Sequence, residues 1–124
     1  MKVNKMLGSL LIATSLYGVS TVANANLNFS NDSNYNLSFS INNVCSKELG
    51  DIEKHTIKNI YQSDFDKVCK YNPTQCVIDV YPKGGCNGKA INSMVFDHAK
   101  LISMSMSGDL MISSNAADVF FSNV

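Results

Sequence analysis

The sequence predicts a mainly β protein: an antiparallel β-sandwich or barrel of about seven or eight short strands, with one short helix and a pair of disulfides. Three observations predict this class. Segments such as Tyr35–Asn42 and Leu101–Ser107 alternate apolar and polar residues with a period of two. Turn residues separate such segments at short intervals. The four cysteines are an even number in a short chain, which is typical of a disulfide framework.

Residues 1–25 have the pattern of a cleavable secretory signal peptide. Two lysines lie among the first five residues, an uncharged apolar run follows over 6–19, and alanines occupy positions 23 and 25. Signal peptidase accepts small side chains there, so we expect cleavage after Ala25 and a single mature domain over residues 26–124. A membrane anchor is disfavoured because a spanning helix needs about 20 apolar residues.

Two alternating segments open the mature region. Leu27–Asn31 and Tyr35–Asn42 place apolar residues at every second position, and the turn cluster Asp32–Asn34 separates them. Half-buried strands have this pattern, so we expect the two segments to form a β-hairpin. The residues expected to face the core are Tyr35, Leu37, Phe39 and Ile41.

The middle of the chain predicts one strand and one short helix. His55–Tyr61 is rich in branched and aromatic residues and is expected to be a strand. Ser63 followed by Asp66 resembles a capping box at the start of a helix. The helix is expected to end near Tyr71, because Pro73 cannot continue it.

The remaining strands are expected in the C-terminal half, between clear turns. Pro82–Gly85 is the strongest turn signal, and Asp97–Lys100 and Gly108–Asp109 are further turns. The predicted strands are Cys76–Tyr81, Ala90–Phe96, Leu101–Ser107, Leu110–Ser113 and Val119–Phe121.

The cysteines Cys45, Cys69, Cys76 and Cys86 are expected to form structural disulfides in an oxidising compartment. The favoured pairing is Cys45–Cys69 with Cys76–Cys86, and the alternative is Cys45–Cys76 with Cys69–Cys86. A zinc site is disfavoured because such sites use closely paired ligands, whereas these cysteines are 24, 7 and 10 positions apart. No metal and no other cofactor are expected.

Charge and hydropathy exclude two kinds of partner. The chain has no arginine, and without the two signal-peptide lysines it has eight lysines against ten acidic residues. Nucleic-acid-binding proteins present clustered Arg and Lys, and polybasic membrane patches need the same residues. No second apolar stretch reaches spanning length. We therefore expect neither nucleic-acid binding nor stable membrane insertion.

The side chains with catalytic chemistry do not converge on a site. Asp97 and His98 would place a carboxylate beside an imidazole, as general-base catalysis requires, but no positioned nucleophile accompanies them. A polar turn explains both residues, and His55 is expected to face solvent. The methionines would suit copper(I), but core filling explains them better. We therefore expect no catalytic residues and a protein that is not an enzyme.

The leading hypothesis is a secreted or periplasmic, non-catalytic binding protein for an unknown protein or glycan. Exposed loops commonly carry recognition. The alternatives are a disulfide-braced inhibitor of a hydrolase and a small hydrolase with His98 in a pocket. The candidate binding loops contain Pro82, Lys83, Gly84 and Gly85 in one turn, and Asp97 and His98 in another.

A further expectation comes from a resemblance. The two N-terminal alternating strands, the cysteines, Gly50, Asn72-Pro73 and Cys86-x-Gly88 are similar to the pattern of small exported four-cysteine β proteins of Gram-negative intracellular bacteria. The likeness covers nearly the whole mature region. Its markers are structural and transfer no active site. The resemblance implies passage through the periplasm and, beyond it, type II secretion.

Overall fold

The computed structural model describes residues 26–105, 109–115 and 117–124, so the predicted signal peptide and positions 106–108 of the predicted strand and turn lie outside the described residues. The described chain forms a four-stranded and a five-stranded sheet, with one α-helix and two disulfides. The predicted mainly β class is confirmed. In chain order the strands are β1 (Leu27–Asp32), β2 (Ser38–Ile41), β3 (Val44–Cys45), β4 (Thr56–Ile60), β5 (Cys76–Tyr81), β6 (Asn92–Asp97), β7 (Lys100–Met104), β8 (Leu110–Asn115) and β9 (Asp118–Asn123).

The strand order separates the two sheets. It is β4–β1–β9–β8 in the four-stranded sheet and β3–β2–β5–β6–β7 in the five-stranded sheet, and neither sheet closes into a barrel over the described residues. All named strand pairs are antiparallel except β1 and β9, which are parallel. The expected purely antiparallel arrangement is therefore wrong at this one pair, where the last strand returns beside the first.

The predicted hairpin between the first two alternating segments is also wrong, because β1 and β2 belong to different sheets. Between them the buried Asn31 amide donates to the carbonyls of Tyr35 and Ile52, at 2.7 and 3.0 Å. Its Oδ1 accepts hydrogen bonds from the amide and hydroxyl of buried Ser33. These bonds satisfy buried polar groups and turn the chain from one sheet to the other. Alternation identifies a strand but not its neighbour.

The core lies between the inner faces of the two sheets and is rich in phenylalanine. The Phe29 ring of β1 lies 5.6 Å from that of Phe39 in β2 and 6.4 Å from that of Phe96 in β6, centroid to centroid. Phe121 of β9 lies 5.8 Å from Phe39. Such aromatic pairs add to the stabilisation from apolar burial, so this cluster holds the two layers together.

The side chains expected to fill the core do so only in part. From the second alternating segment, Leu37 and Phe39 are fully buried, while Tyr35 and Ile41 are half-buried and pack against the core from its edge. The methionines that were expected to fill the core also differ in how deeply they are buried. Met94 is buried, Met104 packs against the core, Met111 is 41% exposed, and Met106 lies outside the described residues.

Helix α1 spans Gln62–Val68 and closes one end of the core. The predicted capping box is wrong, because the N-cap residue is Tyr61, no side chain caps the helix, and Ser63 lies inside it. Buried Phe65 anchors the helix by contacting the Phe96 ring at 4.8 Å. At seven residues α1 is short, and no helix in the described ranges has the length and hydropathy of a membrane span.

The disulfides join Cys45 to Cys86 and Cys69 to Cys76, with Cα–Cα distances of 5.8 and 5.5 Å. Both pairings considered from the sequence are wrong. Cys45 lies in β3 beside β2, and the turn after β5 also returns to β2, where the Cys86 amide donates to the Ser38 hydroxyl at 2.7 Å. Cys45 and Cys86 are therefore both held beside β2, a proximity that spacing along the chain does not reveal.

Candidate functional site

A groove of about 400 Å³ opens between the β2–β3 hairpin and the C-terminal end of α1. Its apolar lining comes from Ile41 and Val44 on the hairpin side and from Val68 and Tyr71 on the helix side. Its volume falls within the range of about 300–1,000 Å³ that is usual for ligand sites. We call this feature the inter-disulfide groove.

The hairpin wall is shaped by a two-residue turn. Asn42 and Asn43 join β2 to β3 with φ angles of 53° and 65°, the left-handed conformation that such a turn requires and that asparagine tolerates well. The turn pairs Ile41 with Val44 across the hairpin. Val44 is 68% exposed, and β3 is the edge strand of its sheet. One wall of the groove therefore includes the edge strand of the sheet.

The helix wall ends in an exposed aromatic ring. Val68 is half-buried against the core, whereas Tyr71, three residues later, is 77% exposed. The Lys70 ammonium lies 5.0 Å from the centre of the Tyr71 ring, close enough for a cation–π contact. A single exposed ring is ordinary, but this one adds to the apolar surface that Ile41, Val44 and Val68 give the groove.

One disulfide contributes to the groove and the other to a cavity beside it. Cys45 contributes to the lining at one end. A smaller cavity of about 50 Å³ shares Ile41, Val68 and Tyr71 with the groove and continues it to Cys69, Cys76 and the exposed Val77. Because each bond fixes a segment of chain that lines the groove or the adjoining cavity, the walls are covalently braced.

Charge at the groove is balanced. Glu48 lies on the loop side and Lys67 on the helix side, and both belong to the lining. Lys67 also lies 3.9 Å from the Asp64 carboxylate one helical turn away, an exposed pair of small energetic value. The groove therefore combines an apolar floor with one charge of each sign, without the cationic surplus that a phosphate ligand would require.

The predicted recognition turn Pro82–Gly85 does not line the groove, but it is firmly held. The Gly85 amide donates to the Asp51 carboxylate at 3.1 Å, and the Ser38 hydroxyl donates to the Lys83 carbonyl. Gly85 has φ 67°, which glycine adopts without strain. The neighbouring Cys86 then links the turn to the groove wall through Cys45.

The structure brings the predicted pair Asp97 and His98 together at the turn between β6 and β7. His98 Nδ1 lies 2.7 Å from an Asp97 carboxylate oxygen, and its backbone amide donates to the Pro73 carbonyl. The turn residues His98 and Ala99 have φ angles of 48° and 66°. Alanine has no side-chain hydrogen bond to offset such a conformation, so the turn is strained at that position.

His98 lines a cavity of about 160 Å³ together with Phe65 and Asp66. A carboxylate that orients an imidazole is part of a general-base arrangement. The other lining residues are Pro73, Ala99 and Cys69, whose sulfur is in a disulfide. A free hydroxyl or thiol nucleophile is therefore missing from this lining, and the histidine and aspartate side chains are 65% and 45% exposed to water.

Sequence reasoning did not single out the residues that form the groove. Ile41 was expected in the core, and Val44 and Tyr71 lie outside the predicted strands. Tyr71 stands between the polar residues Lys70 and Asn72, whereas Val44 has Asn43 before it and Cys45 after it. The available signal was their position at the end of a predicted element or beyond it, where an apolar residue has no assigned core face.

Comparison with family models, curated proteins and solved structures gave no match for this chain.

Proposed function

We propose that this protein is an exported, non-catalytic binding protein and that the inter-disulfide groove takes an extended apolar segment of a partner protein. The observation that carries the proposal is the exposure of Val44 and Tyr71 on facing walls of a groove with an apolar floor. Apolar side chains that cluster along one surface feature, rather than lying singly, are typical of a surface that a partner covers.

The open edge of β3 supports an extended peptide as the partner. A peptide that pairs with an exposed edge strand gains main-chain hydrogen bonds, while its alternate side chains enter neighbouring pockets. β3 pairs with β2 on one side and is the last strand of its sheet on the other. The floor formed by Ile41 and Val68 lies within the same groove and would receive those side chains.

Selection from a phage-displayed peptide library on the oxidised protein tests this proposal. We expect enrichment of peptides with alternating apolar residues. Val44→Asp should weaken their binding by at least about tenfold, because a peptide would then bury an unpaired carboxylate. The matched control is Ile102→Asp, which changes a 51% exposed residue on β7, the opposite edge of the same sheet. Equal affinity for both variants would refute the groove as the site.

Export is part of the same proposal. Both disulfides are compatible with an oxidising compartment, and residues 1–25 match a signal peptide. N-terminal sequencing of the protein recovered from the periplasm or medium should begin at Asn26. Recovery only from the cytoplasm with Met1 retained would contradict export, and recovery from the medium that depends on the type II machinery would identify the onward route.

A second candidate function is inhibition of a hydrolase by the turn Pro82–Gly85. The observation that favours it is the bracing of this turn by Asp51, Ser38 and the adjoining disulfide, since rigid loops lose little entropy on binding. Inhibition of an enzyme in a protease and lysozyme panel, abolished by Lys83→Ala, would support it. A panel without inhibition would remove this candidate and leave the groove proposal intact.

The Asp97–His98 pair enters the proposal as a non-catalytic turn. A hydrolase screen on the protein should therefore give no turnover above background. Turnover that disappears in His98→Ala would overturn the non-catalytic part of the proposal.

A further inference from the structure

The side of the four-stranded sheet that faces away from the core carries a row of amide and carboxylate groups. Side chains alternate between the two faces of a strand, and Phe29, Val119 and Phe121 point into the core. Their neighbours point outward and lie in cross-strand register. We call this surface the outer face. The row across its four strands consists of Asn59, Asn28, Asp118 and Asn115.

Hydrogen bonds hold this row in place. Asn59 Nδ2 donates to Asn28 Oδ1 at 2.7 Å, and Asn28 Nδ2 donates to Asp118 Oδ1 at 3.1 Å. Each amide still has a second N–H, and each amide or carboxylate oxygen has a further lone pair. At about 4.8 Å per strand, the row is roughly 14 Å long. It is a preorganised line of donors and acceptors on the protein surface.

An aromatic ring lies in the next row. Register places Ile57, Ser30, Phe120 and Ser113 side by side on β4, β1, β9 and β8. Phe120 is 39% exposed and lies between the two serines, which leave space around its ring. The face of an aromatic ring is electron-rich and attracts polarised C–H groups.

The composition of the outer face argues against other partners. Ser30 lies between Ile57 and Phe120, and only Met111 is a diagonal neighbour of Phe120. The exposed apolar side chains therefore lack the breadth of a patch at the centre of a protein interface. None of the described residues that lie on this face according to the strand register is a lysine. Asp32 and Asp118 make the surface unfavourable for phosphate or sulfate groups.

We propose that the outer face binds a neutral oligosaccharide. Sugar hydroxyl groups both donate and accept hydrogen bonds, so they match the amide and carboxylate row, and the C–H groups of a pyranose ring match the face of Phe120. The absence of ionic groups in such a ligand fits a surface with two carboxylates and no lysine. This site is separate from the inter-disulfide groove, and the proposal does not depend on the function assigned to the groove.

Titration of the ¹⁵N-labelled protein with maltohexaose, cellohexaose and chitohexaose tests the proposal, with a heparin hexasaccharide as the anionic comparison. At least one neutral oligosaccharide should shift the backbone signals of β1 and β9 and the side-chain amide signals of Asn28 and Asn59. Heparin should leave these signals unchanged. The proposal would be overturned if heparin alone shifted these signals. It would also be overturned if none of the three neutral oligosaccharides shifted them.

Two variants locate the binding. Phe120→Ser should weaken it about tenfold through loss of the ring contact, and Asn59→Ala about threefold through loss of one hydrogen-bonding group. Asn59 is exposed on the edge strand β4, so its replacement tests the face even if Phe120→Ser disturbs the fold. Ile102→Ser on the other sheet is the matched control and should bind normally. Binding that is unchanged in both outer-face variants would refute the site.

Discussion

The inter-disulfide groove and the outer face are held together by different forces. The groove depends on a two-residue edge strand, a short helix and two disulfides. The outer face lies on four paired strands whose register aligns its side chains, and its polar row is tied by hydrogen bonds. The groove is thus a covalently fixed shape with an apolar floor, whereas the outer face is a flat surface fixed by the sheet.

This difference predicts that the two surfaces can be disturbed separately. β3 has two residues paired with β2, which is too little strand to keep its position by pairing alone. The strands of the outer face are five or six residues long and pack on the phenylalanine cluster. Loss of a cross-link should therefore change the groove first.

The largest effect is expected from removal of the disulfide between Cys45 and Cys86. The double variant Cys45→Ala, Cys86→Ala should lower the free energy of unfolding by about 4 kcal/mol in the chain-entropy model, because the bond links residues 41 positions apart. Urea unfolding measures this loss. In the folded variant, NMR signals of the β2–β3 hairpin should move while those of β1 and β9 stay in place. Equal movement in both regions would contradict the separation.

A smaller effect is expected at the joint between the sheets. Asn31→Ala would remove the amide that binds the Tyr35 and Ile52 carbonyls. Loss of these two bonds, together with loss of the Oδ1 that accepts from the buried Ser33 amide and hydroxyl, should cost about 2–3 kcal/mol of unfolding free energy, measured by urea titration. Since the joint supports both layers, signals of the groove and of the outer face should shift together. Asn36→Ala, at an exposed residue in the same connection, is the control and should lose much less stability.

The smallest effect is expected at the turn between β6 and β7, away from both surfaces. Ala99 has φ 66°, so Ala99→Gly should stabilise the protein by about 0.5–1 kcal/mol, although glycine usually destabilises. Asn43→Gly in the β2–β3 turn should gain less, because asparagine already tolerates this conformation. Thermal unfolding of the two variants measures the difference. A loss of stability in Ala99→Gly would show that the turn is not strained.

Local patterns predicted the elements but not their neighbours. Cys76–Tyr81 was predicted as a strand and is β5 with the same bounds, because its alternation is a property of the segment itself. The assignment of β1 and β2 to different sheets depends on the hydrogen bonds of buried Asn31, which no periodicity encodes. The pairing of Cys45 with Cys86 depends likewise on both lying beside β2.

The candidate sites also differ in whether the sequence alone could reveal them. The pair Asp97 and His98 could be recognised from the sequence because the two residues are adjacent, and the structure brings them within 2.7 Å. The groove could not, since Val44 and Tyr71 lie 27 positions apart in the sequence and line one groove only in the folded chain. Their shared feature, exposure of a large apolar side chain, is a property of the folded surface.

The most direct test of the binding proposal is an NMR map of one library-selected apolar peptide on the ¹⁵N-labelled, oxidised protein. The proposal predicts the largest shifts in the β2–β3 hairpin and at residues 67–71, their loss in Val44→Asp and their retention in Ile102→Asp. Largest shifts at Pro82–Gly85, at Asp97 and His98 or on the outer face, with the groove unchanged, would contradict it.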